Sequence, residues 1–261
     1  MEVDGFLNKI KSKKELSGIS DFIILSSLEK YFKKNKISKK KLSSKDSKLI
    51  VKEIRSDLRK LLGRFEKDSS KRKTLLETNK IDDILNTHIS TKERKEDYPL
   101  IISLIKELNP NSILDIGCGL NPLALASSKI VYYALDINKD EIDLINNFFK
   151  RNNIKGKAFF HDLRNYDSKL PEVDLCLLLK VLDIIEEKGH KLAEKIIKNL
   201  KCKCIIISFS VKTLSGKPMN HPQRGWIERL LNRLGYSFNL IKTKNEIFYI
   251  ASPRNCQPDT R

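Results

Sequence analysis

The sequence predicts an α/β domain with a doubly wound, mostly parallel sheet behind an all-helical N-terminal domain. From about residue 91 onward, apolar strands alternate with amphipathic helices, which is typical of parallel strands joined by crossover helices. Residues 1–90 carry helical spacing and few strand signals, and residues 1–98 contain no Pro. We therefore place a helical domain in residues 1–90 and a Rossmann-like domain in residues 91–255.

The N-terminal helices are predicted from apolar residues that recur at helical spacing. One set lies in residues 22–32 and a second in residues 49–65, with Lys and Arg on the opposite face. Either Ser43 or Ser44 is a suitable N-cap for the second helix. Residues 81–85 indicate a third, shorter helix.

The second domain begins with a helix over residues 92–108, which Thr91 caps and Asn109-Pro110 ends. A regular alternation follows, and two closely spaced strands at its end predict an antiparallel hairpin. The predicted strands are 112–116, 131–136, 158–162, 173–180, 204–209, 238–242 and 247–251, and the predicted helices are 120–128, 139–152, 186–200 and 223–235.

The positive charge is concentrated at the two ends of the chain. The net charge is +18, and Lys and Arg exceed Asp and Glu by 10 in residues 1–105 and by 8 in residues 201–261. Residues 106–200 are neutral. A Lys-rich composition alone accounts for the excess, but basic surfaces on both sides of a neutral core favour a nucleic-acid partner, since each phosphate contact releases counterions.

Several classes of protein are disfavoured by composition. No apolar run reaches the roughly 20 residues that a membrane helix needs, and no signal peptide is evident, so we expect a cytoplasmic protein without a membrane partner. The five cysteines lack disulfide spacing. Cys202-x-Cys204 has no second pair, so we expect structural cysteines and no metal. We favour a monomer.

The strongest local signal is the segment Ser112–Gly119. An apolar strand leads to Asp115 and then to the turn Gly117-Cys-Gly119. Ligands of open α/β sheets bind at such strand ends, and glycines let the backbone approach them. A dinucleotide site needs a third glycine where this chain has Pro122, and no Walker motif is present. The pattern therefore predicts a ligand without phosphates beside Asp115.

Two further aspartates stand at the ends of the next two predicted strands. Asp136, followed by Ile137, is suited to ribose hydroxyls, and Asp162 to an adenine amino group. The amide of Leu163 can meet the adenine ring. Each aspartate alone is explained equally well as a helix cap. Together with Asp115, however, they favour an adenosine cofactor.

Four blocks of this sequence, residues 88–94, 115–125, 178–182 and 207–217, carry a distinctive pattern. In their order and spacing they resemble the aminoglycoside-resistance 16S ribosomal RNA guanine-N7 methyltransferases, and the resemblance covers roughly residues 50–250. It is most distinctive at Gly-x-Asn-Pro-Leu-Ala-Leu and Leu-Ser-Gly-Lys. It implies a class I methyltransferase sheet, S-adenosyl-L-methionine as cofactor, and 16S rRNA of the small ribosomal subunit as partner, with an RNA-binding helical domain and a resistance activity.

The resemblance also implies residue roles. His88 and Arg94 would reach the methionine end of the cofactor, while Gly117, Gly119, Asp136, Asp162 and Leu163 would hold its remaining parts. After Lys217 the chain departs from the family pattern, in a segment expected near the target base.

The predicted reaction needs no general base, because guanine N7 already carries a nucleophilic lone pair. Alignment and desolvation then supply catalysis, and the target base leaves its stack. Lys180, Lys212 and Lys217 are candidate catalytic residues that hold phosphates or the guanine O6. Trp226 is a candidate for stacking on the base, although packing explains it equally well. The other candidate RNA contacts are Lys33, Lys34, Lys39, Lys40, Arg55, Arg59, Arg64 and Arg224.

Two alternative functions stay open. The divergence after Lys217 is compatible with a non-catalytic module that binds rRNA or the ribosome on a methyltransferase fold. A methyltransferase that acts on a protein or a small molecule is disfavoured by the basic ends of the chain.

Overall fold

A computed structural model describes residues 3–37, 42–61, 71–163, 170–186, 189–213 and 216–254. The helices are α1 (Val3–Lys11), α2 (Asp21–Lys34), α3 (Ser44–Leu61), α4 (Arg72–Glu77), α5 (Ile81–Asn86), α6 (Ile89–Arg94), α7 (Tyr98–Leu108), α8 (Pro122–Leu125), α9 (Lys139–Arg151), α10 (Leu182–Ile185), α11 (Lys191–Asn199) and α12 (Gly225–Arg233). The strands are β1 (Ser112–Ile116), β2 (Val131–Asp136), β3 (Gly156–Phe160), β4 (Val173–Leu179), β5 (Cys202–Ser210), β6 (Tyr236–Lys242) and β7 (Glu246–Pro253).

The strands form one seven-stranded sheet in the order β3-β2-β1-β4-β5-β7-β6. The first five strands are parallel, and β7 pairs antiparallel with both β5 and β6. The predicted fold class and the predicted terminal hairpin are therefore confirmed. Because β1 lies between β2 and β4, the winding reverses beside it, and that is where open α/β sheets bind ligands.

Two apolar cores cover the two faces of this sheet. Successive side chains of a strand point to opposite faces, so Ile113 enters one core while Leu114 and Ile116 enter the other. Helices α7, α8 and α9 pack on the Ile113 face, and α10, α11 and α12 pack on the opposite face. The sheet is thus buried on both sides, which holds its carboxyl edge rigidly.

Two of the predicted helices are interrupted in the structure. The helix predicted over residues 92–108 is divided into α6 and α7, because Pro99 occupies the first turn of α7, where a missing N–H is tolerated. The helix predicted over residues 186–200 is interrupted at its start: α11 begins only at Lys191, after His190, which has a φ of 54°, and α10 lies before the predicted range. Strand β3 ends at Phe160, so Asp162 lies two residues beyond the strand rather than at its end.

The N-terminal helices α1, α2 and α3 share a core of their own. Ser43 caps α3: its hydroxyl accepts from the amide of Asp46 at 3.1 Å, and the Asp46 carboxylate accepts from the amide of Ser43 at 3.3 Å. In contrast, Ile84 and Leu85 of α5 pack into the sheet core. The change of packing partner thus comes before α4, earlier than the predicted boundary at residue 90.

The N-terminal core touches the sheet domain next to the end of β2. Ile137 packs against that core, and Ile19 forms an isolated β-bridge with Asn138. Among the described helices, none combines the length and apolar character needed to cross a membrane.

Candidate active site

A cavity of about 450 Å³ opens at the carboxyl edge of the sheet, where the winding reverses. It lies beside the turn that follows β1, the last residue of β2 and the residue that follows β4. Eight of the nine residues predicted to hold a cofactor line it: His88, Arg94, Gly117, Gly119, Asp136, Ile137, Asp162 and Leu163.

The turn after β1 is held against β2 by backbone hydrogen bonds. The amides of Gly117 and Cys118 both donate to the carbonyl of Leu135, at 2.8 and 3.0 Å. Gly117 has a φ of 65°, and a Cβ there would lie 2.5 Å from a methyl carbon of Val181. A side chain at Gly117 would therefore be strained and would clash, which explains why this turn needs glycine.

The Asp136 carboxylate is fixed by two backbone amides. Its Oδ2 accepts from the amide of Gly119 at 2.9 Å, and its Oδ1 accepts from the amide of Asn138 at 3.0 Å. A carboxylate has about four acceptor sites, so two lone pairs remain for a ligand. The position predicted from the strand end is thus also oriented by its neighbours.

Asp115 requires a correction, because it does not line the cavity. Strand β1 continues to Ile116, so the Asp115 side chain stays within the sheet and is fully buried. Its Oδ2 accepts from the Tyr132 hydroxyl at 2.9 Å. Burial raises the pKa of this carboxyl to about 7, and the negative charge of Asp136 acts in the same direction. Asp115 supports the turn from beneath rather than contacting a ligand.

The inner end of the cavity is built around a buried ion pair between Arg94 and Glu246. The guanidinium donates from Nε to Oε1 at 2.9 Å and from Nη2 to Oε2 at 3.3 Å. The Ser208 hydroxyl donates to Oε2 at 2.6 Å, and Lys180 Nζ lies 3.2 Å from Oε1. Arg94 Nη1 also donates to Asn121 Oδ1 at 2.7 Å. This network engages Nε, Nη1 and Nη2 of Arg94.

The charges of this end shift the ionisation of its members. Burial alone would raise the pKa of Glu246, but the positive charges of Arg94 and Lys180 outweigh it and hold the pKa below its ordinary value. His88 is also buried, and burial, followed by repulsion from Arg72, Arg94 and Lys180, lowers its pKa to about 3. The His88 imidazole is therefore neutral at neutral pH, able to donate one hydrogen bond and accept another.

Lys180 adopts a left-handed conformation directly after β4, with a φ of 59°. Its Nζ lies 3.0 Å from Glu93 and 3.2 Å from Glu246, and its side chain is 10% exposed. A non-glycine residue in this region is uncommon and often marks a functional site. The ammonium group lies in the cavity wall, held between two carboxylates.

Glu246 was not predicted from the sequence, although it carries a signal. It is a charged residue at the start of an otherwise apolar strand, and a buried charge needs a partner. Ser208 and Asn121, which complete its network, have no comparable signal. Among the described residues, no group of three or more His, Cys, Asp or Glu side chains is arranged to hold a metal ion.

A model of the ribosomal RNA methyltransferase (FmrO) family matches residues 77–250 of this chain. That range is more than half of the chain and contains the turn after β1, Asp136 and the Arg94–Glu246 pair. The chain belongs to the FmrO family of ribosomal RNA methyltransferases.

Two curated relatives of this chain share one name. The 16S rRNA (guanine(1405)-N(7))-methyltransferase of Proteus mirabilis is 27% identical over 179 residues, which are 65% of this chain and 64% of the relative. The enzyme of that name from Serratia marcescens is 31% identical over 150 residues, 55% of this chain and 59% of the relative. The chain thus matches less than two thirds of the length of these relatives.

Solved structures extend the likeness over the fold. The 16S rRNA methyltransferase RmtF, in complex with S-adenosyl-L-homocysteine, has a TM-score of 0.81 at 20% identity and covers 97% of this chain and 99% of its own. The 16S rRNA methylase ArmA has a TM-score of 0.58 at 26% identity over 72% of this chain and 98% of its own. The predicted Rossmann-like methyltransferase sheet behind N-terminal helices is confirmed.

The other two predicted catalytic lysines, Lys212 and Lys217, lie outside the cavity. Lys212 Nζ donates to Asn245 Oδ1 at 2.7 Å and lines a separate groove. Lys217 is exposed, and its carbonyl accepts from the amide of Thr213 at 2.8 Å. Of the three lysines, Lys180 alone lines the cavity, and the catalytic roles of Lys212 and Lys217 stay predictions.

Arg224 and Trp226 are engaged within the protein rather than presented to RNA. Arg224 Nη2 pairs with Asp183 at 2.7 Å, and its guanidinium lies over the Phe209 ring, 5.5 Å from the centroid. Trp226 stacks on His190 at a centroid distance of 4.0 Å and meets Phe209 edge-on. Of the two explanations for Trp226, the structure favours packing, because its ring face is already covered.

The predicted RNA contacts in the N-terminal helices are divided among several environments. Lys33 and Lys34 are exposed at the end of α2. Arg55 instead bonds to the Lys9 carbonyl and to the Ser12 hydroxyl. Arg59 donates from Nε and Nη2 to Glu15 Oε1, at 2.9 and 2.7 Å, and both residues line the mouth of the cavity. Arg55 and Arg59 thus both link segments of the N-terminal helices, and their contacts with RNA stay predictions. Lys39, Lys40 and Arg64 lie outside the described residues.

Proposed function

We propose that this protein is an S-adenosyl-L-methionine-dependent methyltransferase that modifies guanine N7 in 16S rRNA of the small ribosomal subunit. One observation carries the proposal: apart from Glu15, Leu16 and Arg59, the residues that line the cavity at the sheet reversal lie inside the matched range 77–250. The curated relatives are named 16S rRNA (guanine(1405)-N(7))-methyltransferases, which makes the equivalent guanine the proposed target. Such a substrate would place the protein in the cytoplasm.

The cavity has the polarity that this cofactor requires. Asp136 and Asp162 lie at one side, where carboxylates can accept hydrogen bonds from ribose hydroxyls and an adenine amine. Arg94 and Lys180 lie at the inner end, where an amino-acid carboxylate would find two cations. A volume of about 450 Å³ lies within the range of small-molecule sites.

The chain's own residues would hold the reactants rather than exchange protons with them. The cofactor supplies an electrophilic methyl group, and guanine N7 attacks it without a general base. His88 is neutral because its pKa is lowered to about 3, so its role in this proposal is hydrogen bonding, not proton transfer. Leu163, Val181 and Ile185 give the wall apolar surface that excludes water. Lys180 is the cation positioned to meet the guanine O6 or a phosphate.

The experiment is transfer of a labelled methyl group from S-adenosyl-L-methionine to purified 30S subunits and to naked 16S rRNA. We expect incorporation at a single guanine, located by primer extension, and none into 30S subunits that already carry the modification. Calorimetry with S-adenosyl-L-homocysteine is run in parallel. Cofactor binding with no transfer to any RNA would contradict the enzyme proposal and favour the non-catalytic rRNA-binding module.

A further inference from the structure

A second depression of about 550 Å³, the lysine groove, lies next to the cavity. Its defining residues come from α6 and the turn after it, from the segment after β5, and from the β6–β7 turn. They are Lys92, Glu93, Lys95, Glu96, Lys212 and Lys244. None of these six residues lines the cofactor cavity.

The lysine groove and the cavity share a wall formed by Glu93. The Glu93 carboxylate accepts from Lys180 Nζ at 3.0 Å on the cavity side. Its carbonyl accepts from Asn245 Nδ2 at 3.0 Å on the groove side, and Asn245 Oδ1 accepts from Lys212 at 2.7 Å. An RNA strand with one nucleotide in the cavity would therefore meet the groove on the other side of Glu93.

The groove carries an excess of positive charge that the protein barely neutralises. Four lysines face two glutamates in it. Lys244 is 76% exposed and lies 4.0 Å from Glu96, and Lys95 is 41% exposed with Asp82 at 3.1 Å. Lys92 is exposed and forms no ion pair with the described residues. Exposed pairs of this kind contribute little to stability, so these ammonium groups remain available to an outside anion.

We propose that the lysine groove binds the sugar–phosphate backbone of RNA next to the nucleotide that enters the cavity. This inference rests on the proposed function and adds where the flanking strand runs. An acidic protein partner fits less well, because protein interfaces need apolar or aromatic anchors and the only large apolar side chain lining the groove within the described residues is Ile89. Spaced lysines at a wet surface suit phosphates.

The test is the double charge reversal Lys92→Glu with Lys244→Glu, both at exposed positions. Filter binding to 30S subunits and naked 16S rRNA is measured over a range of salt concentrations. We expect the dissociation constant to rise at least about tenfold and the slope of its logarithm against log salt to fall by about 2, since two phosphate contacts are lost. Affinity for S-adenosyl-L-homocysteine should stay within about twofold of wild type, since neither lysine lines the cavity.

A matched control separates this surface from bulk charge. Lys106→Glu with Lys201→Glu makes the same change in net charge at two exposed lysines just before β1 and β5, on the opposite edge of the sheet. We expect a much smaller loss of RNA affinity. In the other direction, Glu96→Gln removes a negative charge from the groove, so RNA affinity should increase about twofold or more, a gain that damage to the fold cannot imitate.

The outcomes distinguish the two proposals. Equal losses in both double variants, or no gain from Glu96→Gln, would overturn the lysine groove while methyl transfer by wild type would leave the proposed function intact. Absence of both RNA binding and transfer in wild type would overturn the proposed function, and the groove with it.

Discussion

Two Arg–Glu pairs border the same cavity, and they differ in nearly every physical respect. At the inner end, Arg94 meets both oxygens of Glu246, and the two side chains are 2% and 0% exposed. At the mouth, Arg59 places two donors on one oxygen of Glu15, and the side chains are 38% and 42% exposed. The first pair joins residues 152 positions apart within the sheet domain, and the second joins α3 to the turn before α2.

This difference indicates that the two ends of the cavity have different roles. A buried charge must be paired because water cannot solvate it, and Ser208 and Lys180 add further partners to Glu246. The inner end is therefore held in one arrangement before any ligand arrives. An exposed pair exchanges readily with water and salt, so the mouth can adjust at little cost.

The largest effect is expected from Glu246→Gln. Removing this charge leaves Arg94 buried without its counterion, so the free energy of unfolding should fall by about 3–5 kcal/mol. Urea denaturation followed by circular dichroism measures it. Glu107→Gln, at an exposed position of α7, is the control and should leave the midpoint unchanged. A Glu246→Gln variant as stable as wild type would mean that Arg94 does not depend on this pair.

A double-variant cycle tests whether Arg94 and Glu246 stabilise the fold through each other. If Arg94 and Glu246 stabilise the fold chiefly through each other, Arg94→Met with Glu246→Leu should cost less than the two single changes added together, by about 0.5–3 kcal/mol. Simple additivity would instead mean that each residue acts through other neighbours, such as Asn121 for Arg94 and Ser208 for Glu246.

The middle and the inner end of the cavity also differ in how far the sequence predicts them. Asp136 and the turn at Gly117 are recognisable because a strand, its final carboxylate and the adjacent turn are contiguous in the chain. Asp115 was misassigned although the predicted strand 112–116 matches β1, because the strand pattern does not show that this side chain is buried within the sheet and bonded to Tyr132. Glu246 depends on an antiparallel strand brought beside β5 by the fold, which no local pattern specifies.

The polar faces of the N-terminal helices show the same limit. Helical spacing correctly places Ile50, Ile54 and Leu58 of α3 in the N-terminal core, although Leu49, from the same predicted apolar set, is 52% exposed. It does not indicate which charged residue packs on another helix, so Arg55 and Arg59 were predicted to contact RNA although they bond to the segment between α1 and α2.

A smaller effect is expected at the middle of the cavity, between the two pairs. Asp136→Ala removes a carboxylate whose charge-assisted hydrogen bonds the proposed cofactor would use, so the affinity for S-adenosyl-L-homocysteine should fall about 10- to 100-fold. Titration calorimetry measures this. Asp143→Ala, exposed on α9, should bind as wild type does. Unchanged affinity in Asp136→Ala would remove Asp136 from the proposed ribose contact.

The buried Asp115 should make the free energy of unfolding depend on pH. Its pKa is raised to about 7 when folded, against about 4 when unfolded, so the folded state binds the proton more tightly. This contribution is fully present below about pH 4 and is lost as pH rises toward 7. His88 acts oppositely: its pKa is lowered to about 3, so its contribution is lost as pH falls through the same window.

Asp115→Asn should therefore reveal the pH dependence of stability that His88 causes. Between pH 4 and 7 the slope of unfolding free energy against pH should become more positive, by at most about 1.4 kcal/mol per pH unit, which is one proton's worth. The Asn oxygen can still accept from Tyr132, so the packing is retained. Denaturation at several pH values measures the slope, and Asp143→Asn should leave it as in wild type.

The smallest effect is expected at the mouth, and it completes the contrast with Arg94. Arg59→Gln breaks a half-exposed pair, so the free energy of unfolding should change by less than about 1 kcal/mol. High salt should reduce even that difference, whereas the loss in Glu246→Gln should persist because salt does not screen a buried pair. Denaturation of both variants at low and high salt tests this. A loss in Arg59→Gln as large as that in Glu246→Gln would mean that docking of the N-terminal helices, rather than burial of charge, holds the cavity together.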